Sequence, residues 1–304
     1  MSVRPAPEAP AVHRAGRVAL VGRPNVGKST LLNRLVGTRI SITSRRPQTT
    51  RQRLSGIVTR PGVQIEFIDT PGFQTEHRSL LNSAMNRSVT AALRDVDAVV
   101  WLVESLQYGE RDAVVAALIP RNVPVIAAIN KTDVLTDKAR LLPFIAQLAE
   151  VRVFDSIIPI SAAKGWQVQE LLDAIVRLLP ECPPLHEEDD ITTASERFLA
   201  AELLREKLFR ALGDELPYAS SVEIERFKQE AGLRSIQASI LVDKEGQKAI
   251  VIGKGGSQLK SIATQARRDM ERLFGGKVFL EVWVKVKSGW TENAAVLRRL
   301  GFGD

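Results

Sequence analysis

The chain has 304 residues, 44% of them hydrophobic and 25% charged, the balance of an ordinary globular protein long enough for two domains with separate cores. No apolar run approaches the roughly 18 residues of a membrane span, no basic n-region and apolar h-region open the chain, and the lone Cys182 excludes an internal disulfide framework and fits a reducing compartment. The formal net charge of +7 is concentrated: residues 244–290 hold ten Lys/Arg against four Asp/Glu, which marks either a nucleic-acid or anionic-membrane partner or a merely solvated face.

Residues 1–15 are rich in Pro and Ala, without apolar period, and are expected to form a disordered tail. Arg17–Val21 reads as a buried strand and Ser29–Val36 as a helix. Between them Gly22-Arg-Pro-Asn-Val-Gly-Lys-Ser-Thr30 fits G-x-x-x-x-G-K-[ST], the loop that cradles nucleotide phosphates. Glycines let backbone N–H groups approach an anion, the helix N-terminus adds partial positive charge, Lys28 adds a full charge, and the Ser29 hydroxyl suits Mg²⁺. The nucleotide contacts expected here are Gly22, Asn25, Val26, Gly27, Lys28, Ser29 and Thr30. Ile40–Arg51, polar and basic, reads as a mobile surface loop. Arg53–Val58 and Val63–Ile68, joined through Pro61-Gly62, read as a hairpin that delivers Asp69-Thr-Pro-Gly72 at a strand end. There Asp69 is placed for the Mg²⁺ shell and the Gly72 N–H for a γ-phosphate.

Val96–Val103 and Val123–Ile129 are near-continuous apolar runs, the pattern of parallel strands buried on both faces, with a helix over Arg111–Ile119 between them. The second runs into Asn130-Lys131-Thr132-Asp133. A carboxylate at position 133 accepts two hydrogen bonds from the N1–H and exocyclic amine of guanine, a donor pair adenine lacks, which disfavours an ATP-dependent enzyme. A strand at Ile157–Ile160 leads into Ser161, Ala162 and Ala163, small residues whose amides can reach a base carbonyl, and then a helix over Val168–Leu179.

A first domain over residues 16–180 is thus followed by a linker over 181–194, with Pro180-Glu-Cys-Pro-Pro184 and the acidic run Glu187–Asp190. Residues 195–304 change pattern: a long amphipathic helix over Glu196–Leu212, alternating strands at Val222–Phe227 and Ser235–Ile240, a short helix over Gln247–Ile252, a helix over Ser257–Phe274, and a strand at Val278–Val286. Between the last two helices lies Ile252-Gly253-Lys254-Gly255-Gly256. G-x-x-G with a basic residue inside is the loop that clamps a single-stranded nucleic-acid backbone in the KH module, with Lys260 and Arg267 on the next helix as further contacts. An anionic lipid surface would need the charge but no such clamp. Trp283 either stacks a base or packs against a neighbouring helix. Thr291 is placed as N-cap of a final helix ending before Gly301.

With these motifs in order, and with Thr49-Thr50, the N-terminal half resembles a translation-factor-type GTPase domain. Gln48-Thr-Thr-Arg51, Glu215-Leu-Pro-Tyr218 and Ile252–Gly256 narrow the resemblance, over about residues 16–303, to the Era family of bacterial GTPases. The resemblance implies an α/β P-loop GTPase domain, a mostly parallel sheet with helices on both faces, followed by an α+β type II KH domain. It implies slow GTP hydrolysis, with Lys28, Thr50 and Gly72 in catalytic roles, Thr50 ahead of Thr49 as the Mg²⁺ ligand beside Ser29 and Asp69, and a potassium ion near Asn25. Phe73 stands where Ras-like proteins carry a water-positioning glutamine. The implied partners are the 3′ end of small-subunit ribosomal RNA and the 30S subunit, whose maturation the family assists, from the cytoplasm and in association with the inner membrane surface. Nothing in the sequence points to an oligomer.

Overall fold

The computed structural model describes residues 13–43, 49–73, 79–213 and 216–302, so most of the expected tail, residues 44–48 of the loop and Glu215 lie outside the described residues. The first domain is a six-stranded sheet in the order β2-β3-β1-β4-β5-β6, built from β1 (Arg14–Val21), β2 (Leu54–Arg60), β3 (Val63–Asp69), β4 (Ala98–Glu104), β5 (Val125–Asn130) and β6 (Ser156–Pro159). Only β2, the first arm of the hairpin, runs antiparallel. Burial on both faces explains the unbroken apolar runs of β1, β4 and β5. Helices α1 (Lys28–Val36) and α5 (Val168–Leu178) cover one face, and α2 (Leu80–Ala92), α3 (Glu110–Leu118) and α4 (Leu141–Ala149) the other.

β1 begins at Arg14, within the segment expected as tail, because the linker pins it: Cys182 N donates to His13 O at 3.1 Å and Ala15 N to Pro180 O at 3.3 Å. The rest of the linker lies along the hairpin: Gln64 Oε1 accepts from the amides of Leu185 and His186 at 2.7 and 2.8 Å, and Ile57 N donates to Ile191 O at 2.9 Å.

The second domain sets α6 (Glu196–Ala211), α7 (Glu245–Ile252) and α8 (Ser257–Phe274) against one face of a three-stranded sheet, β7 (Ser221–Glu230), β8 (Leu233–Val242) and β9 (Lys277–Val286), in that order. β7 pairs with β8 antiparallel and β8 with β9 parallel. The last helix, α9 (Ala294–Arg299), is capped not by Thr291 but by Asn293, whose Oδ1 accepts from the amides of Ala295 and Val296; Thr291 sits inside a preceding 3₁₀ turn. Trp290, Val296, Leu297 and Leu300 close over Leu241 and over Leu81 and Met85 of α2, so an apolar cluster joins the two domains. Among the described residues no helix is long and apolar enough to cross a membrane.

Candidate functional site

The turn after β1 bends sharply because glycine permits it. Gly22 has φ +152° and a Cβ there would lie 2.5 Å from Leu102 O; Gly27 has φ +108° and a Cβ would lie 2.2 Å from Asn130 Nδ2. The turn delivers the N-terminus of α1 to the floor of a cleft of about 340 Å³. Of the expected contacts, Asn25, Gly27, Lys28, Ser29, Thr30, Gly72, Asn130, Lys131, Asp133 and Ala163 line it, together with Thr49 and Thr50. Gly22, Val26, Asp69, Ser161 and Ala162 stand behind that lining and act through backbone or neighbours.

Lys28 is buried, and its ammonium donates to Gly22 O at 2.9 Å and Arg23 O at 3.1 Å. Burial pulls its pKa down to about 8 against the opposing pull of Asp69. A cation held on carbonyls without a carboxylate in contact is poised for an anion. Beneath it Asp69, fully buried, gathers three hydroxyls on Oδ2: Ser29 at 2.8 Å, Ser41 at 3.0 Å and Thr50 at 3.2 Å. Ser29 Oγ and Thr50 Oγ1 are 2.7 Å apart, and Asp69 Oδ1 is buried without a hydrogen bond. Burial pushes the Asp69 carboxyl up from its ordinary value, ahead of the opposing pull of Lys28 and the hydroxyls. This all-oxygen set with one unpaired carboxylate oxygen fits a hard divalent cation such as Mg²⁺.

Ser41 and its neighbours were not anticipated as site residues. Ile40, Ser41 and Ile42 are buried, which corrects the expectation of a mobile surface loop at this end; Asn33 of α1 holds the segment, its Oδ1 accepting from the amides of Ile40 and Ser41 at 2.9 Å each. The alternation Ile40-Ser-Ile-Thr43 was the available signal. Thr50 and Arg51 at the far end of that loop are also buried.

At the other end of the cleft, Ser161 Oγ donates to Asp133 Oδ1 at 2.6 Å and so orients the carboxylate. Asn130, expected among the nucleotide-binding residues, ties two loops of the site together: its Nδ2 donates to Val26 O at 2.8 Å and its Oδ1 accepts from Ala162 N at 2.9 Å, lashing the phosphate loop to the loop after β6. Arg34 of α1 ties down the same loop by donating to Ala162 O at 3.3 Å and Ala163 O at 2.5 Å. Phe73 packs into the apolar cluster under α2, α3 and α4 rather than lining the cleft, and Arg23 is held by Glu104 at 3.0 Å and Gln107 at 2.8 Å, leaving neither to act on a phosphate.

Residues 49–52 run between this cleft and the second domain. Thr49 O accepts from Arg205 of α6, and Thr50 reaches Asp69. Arg51 turns away: its guanidinium donates to Ser220 O at 2.8 Å, and to Pro217 O and Tyr218 O at 3.1 Å each, between the rings of Phe209 and Trp290 at 5.7 and 5.8 Å. Gln52 Nε2 then donates to Leu300 O at 2.6 Å. No local pattern distinguishes the second-domain contacts in the sequence, because each of those partners is more than 150 positions away.

In the second domain, α7 ends at Gly253 (φ +71°), where a Cβ would lie 2.6 Å from Gln258 Cβ, and Gly255 and Gly256, both at positive φ, turn the chain into α8 with open space at each. Lys254 and Lys260 are exposed beside this loop, and Ile252 is half-buried against the domain core. Arg267 lies ten residues, about 15 Å, along α8 from Ser257 and pairs with Glu271 at 2.6 Å, away from the loop. Trp283 is not packed under a helix: it is 42% exposed on the outer sheet face.

Comparison with known proteins agrees with this architecture. Residues 17–131 match the 50S ribosome-binding GTPase family and residues 215–291 the KH domain family. The chain is 54% identical to GTPase Era of Nitrosomonas eutropha over 290 residues, covering 95% of this chain and 98% of that one, and 53% identical to GTPase Era of Chromobacterium violaceum over 94% and 97%. Two solved structures superpose with a TM-score of 0.92 at 37% identity, each covering 96% of this chain and all of the other: a single-substitution variant of Aquifex aeolicus Era bound to GDP and AlF₄⁻, and Era in complex with MgGDPNP and nucleotides 1506–1542 of 16S ribosomal RNA. The chain belongs to the Era family of GTPases, with a P-loop GTP-hydrolysing domain followed by a KH domain.

Proposed function

We propose that the chain is a GTP-dependent switch that binds the single-stranded 3′ end of small-subunit ribosomal RNA through its KH loop and assists maturation of the 30S subunit in the cytoplasm. The observation that carries this reading is residues 49–52, which join the nucleotide cleft to the domain bearing the G-x-x-G loop. The Era complex that holds MgGDPNP and 16S ribosomal RNA together, on the same overall fold, supports it.

In this reading the amides at the N-terminus of α1 cradle the phosphates, and Lys28 exchanges its two carbonyls for phosphate oxygens. Asp133, oriented by Ser161, reads the guanine edge. Ser29 and Thr50, with Asp69 behind them, would hold Mg²⁺, which when bound neutralises charge between the β- and γ-phosphates. The Gly72 N–H donates to the γ-phosphate, and its missing side chain matters, because a Cβ would lie 2.7 Å from Pro24 Cγ. With no glutamine at 73 and Arg23 occupied, hydrolysis rests on positioning and charge, at roughly 10⁻⁴ to 10⁻² s⁻¹. A potassium ion beside Asn25, a left-handed residue on the cleft wall, would supply part of the missing positive charge. A membrane-bound signalling role is the poorer reading, since lipid attraction has no use for the backbone turn at Gly253–Gly256.

Three measurements test this reading. Asp133→Asn lowers GTP affinity by about a hundredfold and shifts preference toward xanthosine nucleotides, whose C2 carbonyl accepts where guanine donates; unchanged GTP affinity contradicts the assignment. Hydrolysis is faster in KCl than in NaCl at equal ionic strength, and equal rates remove the potassium ion. Gly255→Asp, at an open left-handed position that Asp tolerates, places a negative charge against the RNA backbone. It abolishes the preference for the genuine 3′ RNA over a scrambled one in fluorescence anisotropy while leaving GTP binding intact, and a retained preference rules out this loop as the clamp.

A further inference from the structure

β9 alternates, and among the described residues nothing buries its outward aromatic rings. Val278 and Val284 are buried against the domain core, whereas Phe279 and Trp283 are 51% and 42% exposed. Among the described residues only one other large aromatic, Trp166, is so exposed, so two of three lie on one strand face. The strand register surrounds them with polar groups: Ser235 lies opposite Phe279 with Lys228 beyond it on β7, Gln237 opposite Glu281 with Arg226 beyond, and Ser239, itself buried and donating to Glu225, opposite Trp283 with Glu223 beyond. Hydrophobic protein interfaces put apolar neighbours around such anchors. Aromatic rings set among hydrogen-bonding side chains on an open sheet instead suit nucleobases, which present a π-face and a polar edge.

Charge favours the same occupant. Glu281 accepts from Gln237 Nε2 at 2.9 Å, and Glu225 is paired with Lys285. Arg226, Lys277 and Lys287 have no ion pair among the described residues. A cleft of about 520 Å³ containing Arg197, Lys285, Lys287 and Arg299, with Glu223 held by Arg299 at 2.6 Å, continues the basic surface beyond Trp283. That cleft ends where Leu241, opposite Lys285, packs under Trp290 and α2.

We propose that this outer face of the KH sheet is a second RNA surface, on which Phe279 and Trp283 stack bases of a single-stranded segment that continues outside the G-x-x-G groove. The proposal rests on the RNA-binding reading above. A KH groove holds about four nucleotides, so a longer RNA needs further contacts. The two rings stand four residues, about 13 Å, apart along β9 and take separate bases rather than one stack.

The test is fluorescence anisotropy with two labelled RNAs, one matching nucleotides 1506–1542 of 16S ribosomal RNA and one a 3′-terminal oligonucleotide of about eight nucleotides, near the groove's capacity. The variants are the double Phe279→Ala/Trp283→Ala, the conservative Trp283→Phe, and Gly255→Asp. The double variant weakens the long RNA by about tenfold or more and leaves the short one unchanged, Trp283→Phe stays within about twofold of wild type, and Gly255→Asp weakens both. Wild-type affinity of the double variant for the long RNA overturns the proposal, and if that variant also fails to co-sediment with 30S particles, the face docks protein instead. Failure of the unmodified protein to bind either RNA overturns the RNA-binding reading itself.

Discussion

The carboxylate of Asp69 is the constraint on which the rest depends. It is fully buried at the end of β3, and its charge is offset by nearby Lys28 and by three hydroxyls, which come from α1, from the segment after it, and from Thr50. Holding Thr50 fixes the chain on either side of it. Arg51 is thereby carried to the second domain, where three carbonyls and two aromatic faces replace water around its guanidinium. Burial lowers the pKa of Arg51 to about 9, with the neighbouring Arg205 adding to the effect, so this is a costly placement. In the proposed function, a ligand that changes what Thr50 bonds to would act on its neighbour Arg51 inside the domain interface.

The two ends of the cleft show how one fold serves recognition and chemistry with few direct contacts. Asn130 lashes two loops together, and Ser161 fixes the Asp133 carboxylate. Arg34 and Asn33 brace the same loops from α1. The arrangement is pre-organised except at Lys28, whose two carbonyl partners are weak competitors for a phosphate.

The sequence was most legible where local backbone geometry imposes residue type. Gly22, Gly27 and the turn at Gly253–Gly256 need positive φ, and the buried runs of β4 and β5 need apolar residues on both faces. It was least legible where partners lie far apart in the chain. The loop from Ile40 to Arg51 looks solvated by composition, yet Asn33 and the cavity left by Gly56 draw Ile40 inward, and the second domain buries Arg51. Asn130 stands beside Asp133 in the sequence, but its tie from Val26 O to Ala162 N depends on loops 104 and 32 positions away. Alternation along β9 put Val278 and Trp283 on opposite faces, but which face carries the helices depends on how β8 and α8 dock.

The central claim is that nucleotide state reaches the KH domain through residues 49–52. The direct measurement is RNA affinity with a nonhydrolysable GTP analogue and with GDP, compared between the unmodified protein and Arg51→Met, which keeps the volume and removes the charge, with nucleotide affinity followed as the control for folding. The account predicts tighter RNA binding with the GTP analogue in the unmodified protein and equal binding with both nucleotides in the variant. A variant that keeps the full difference would show that the signal travels by another route.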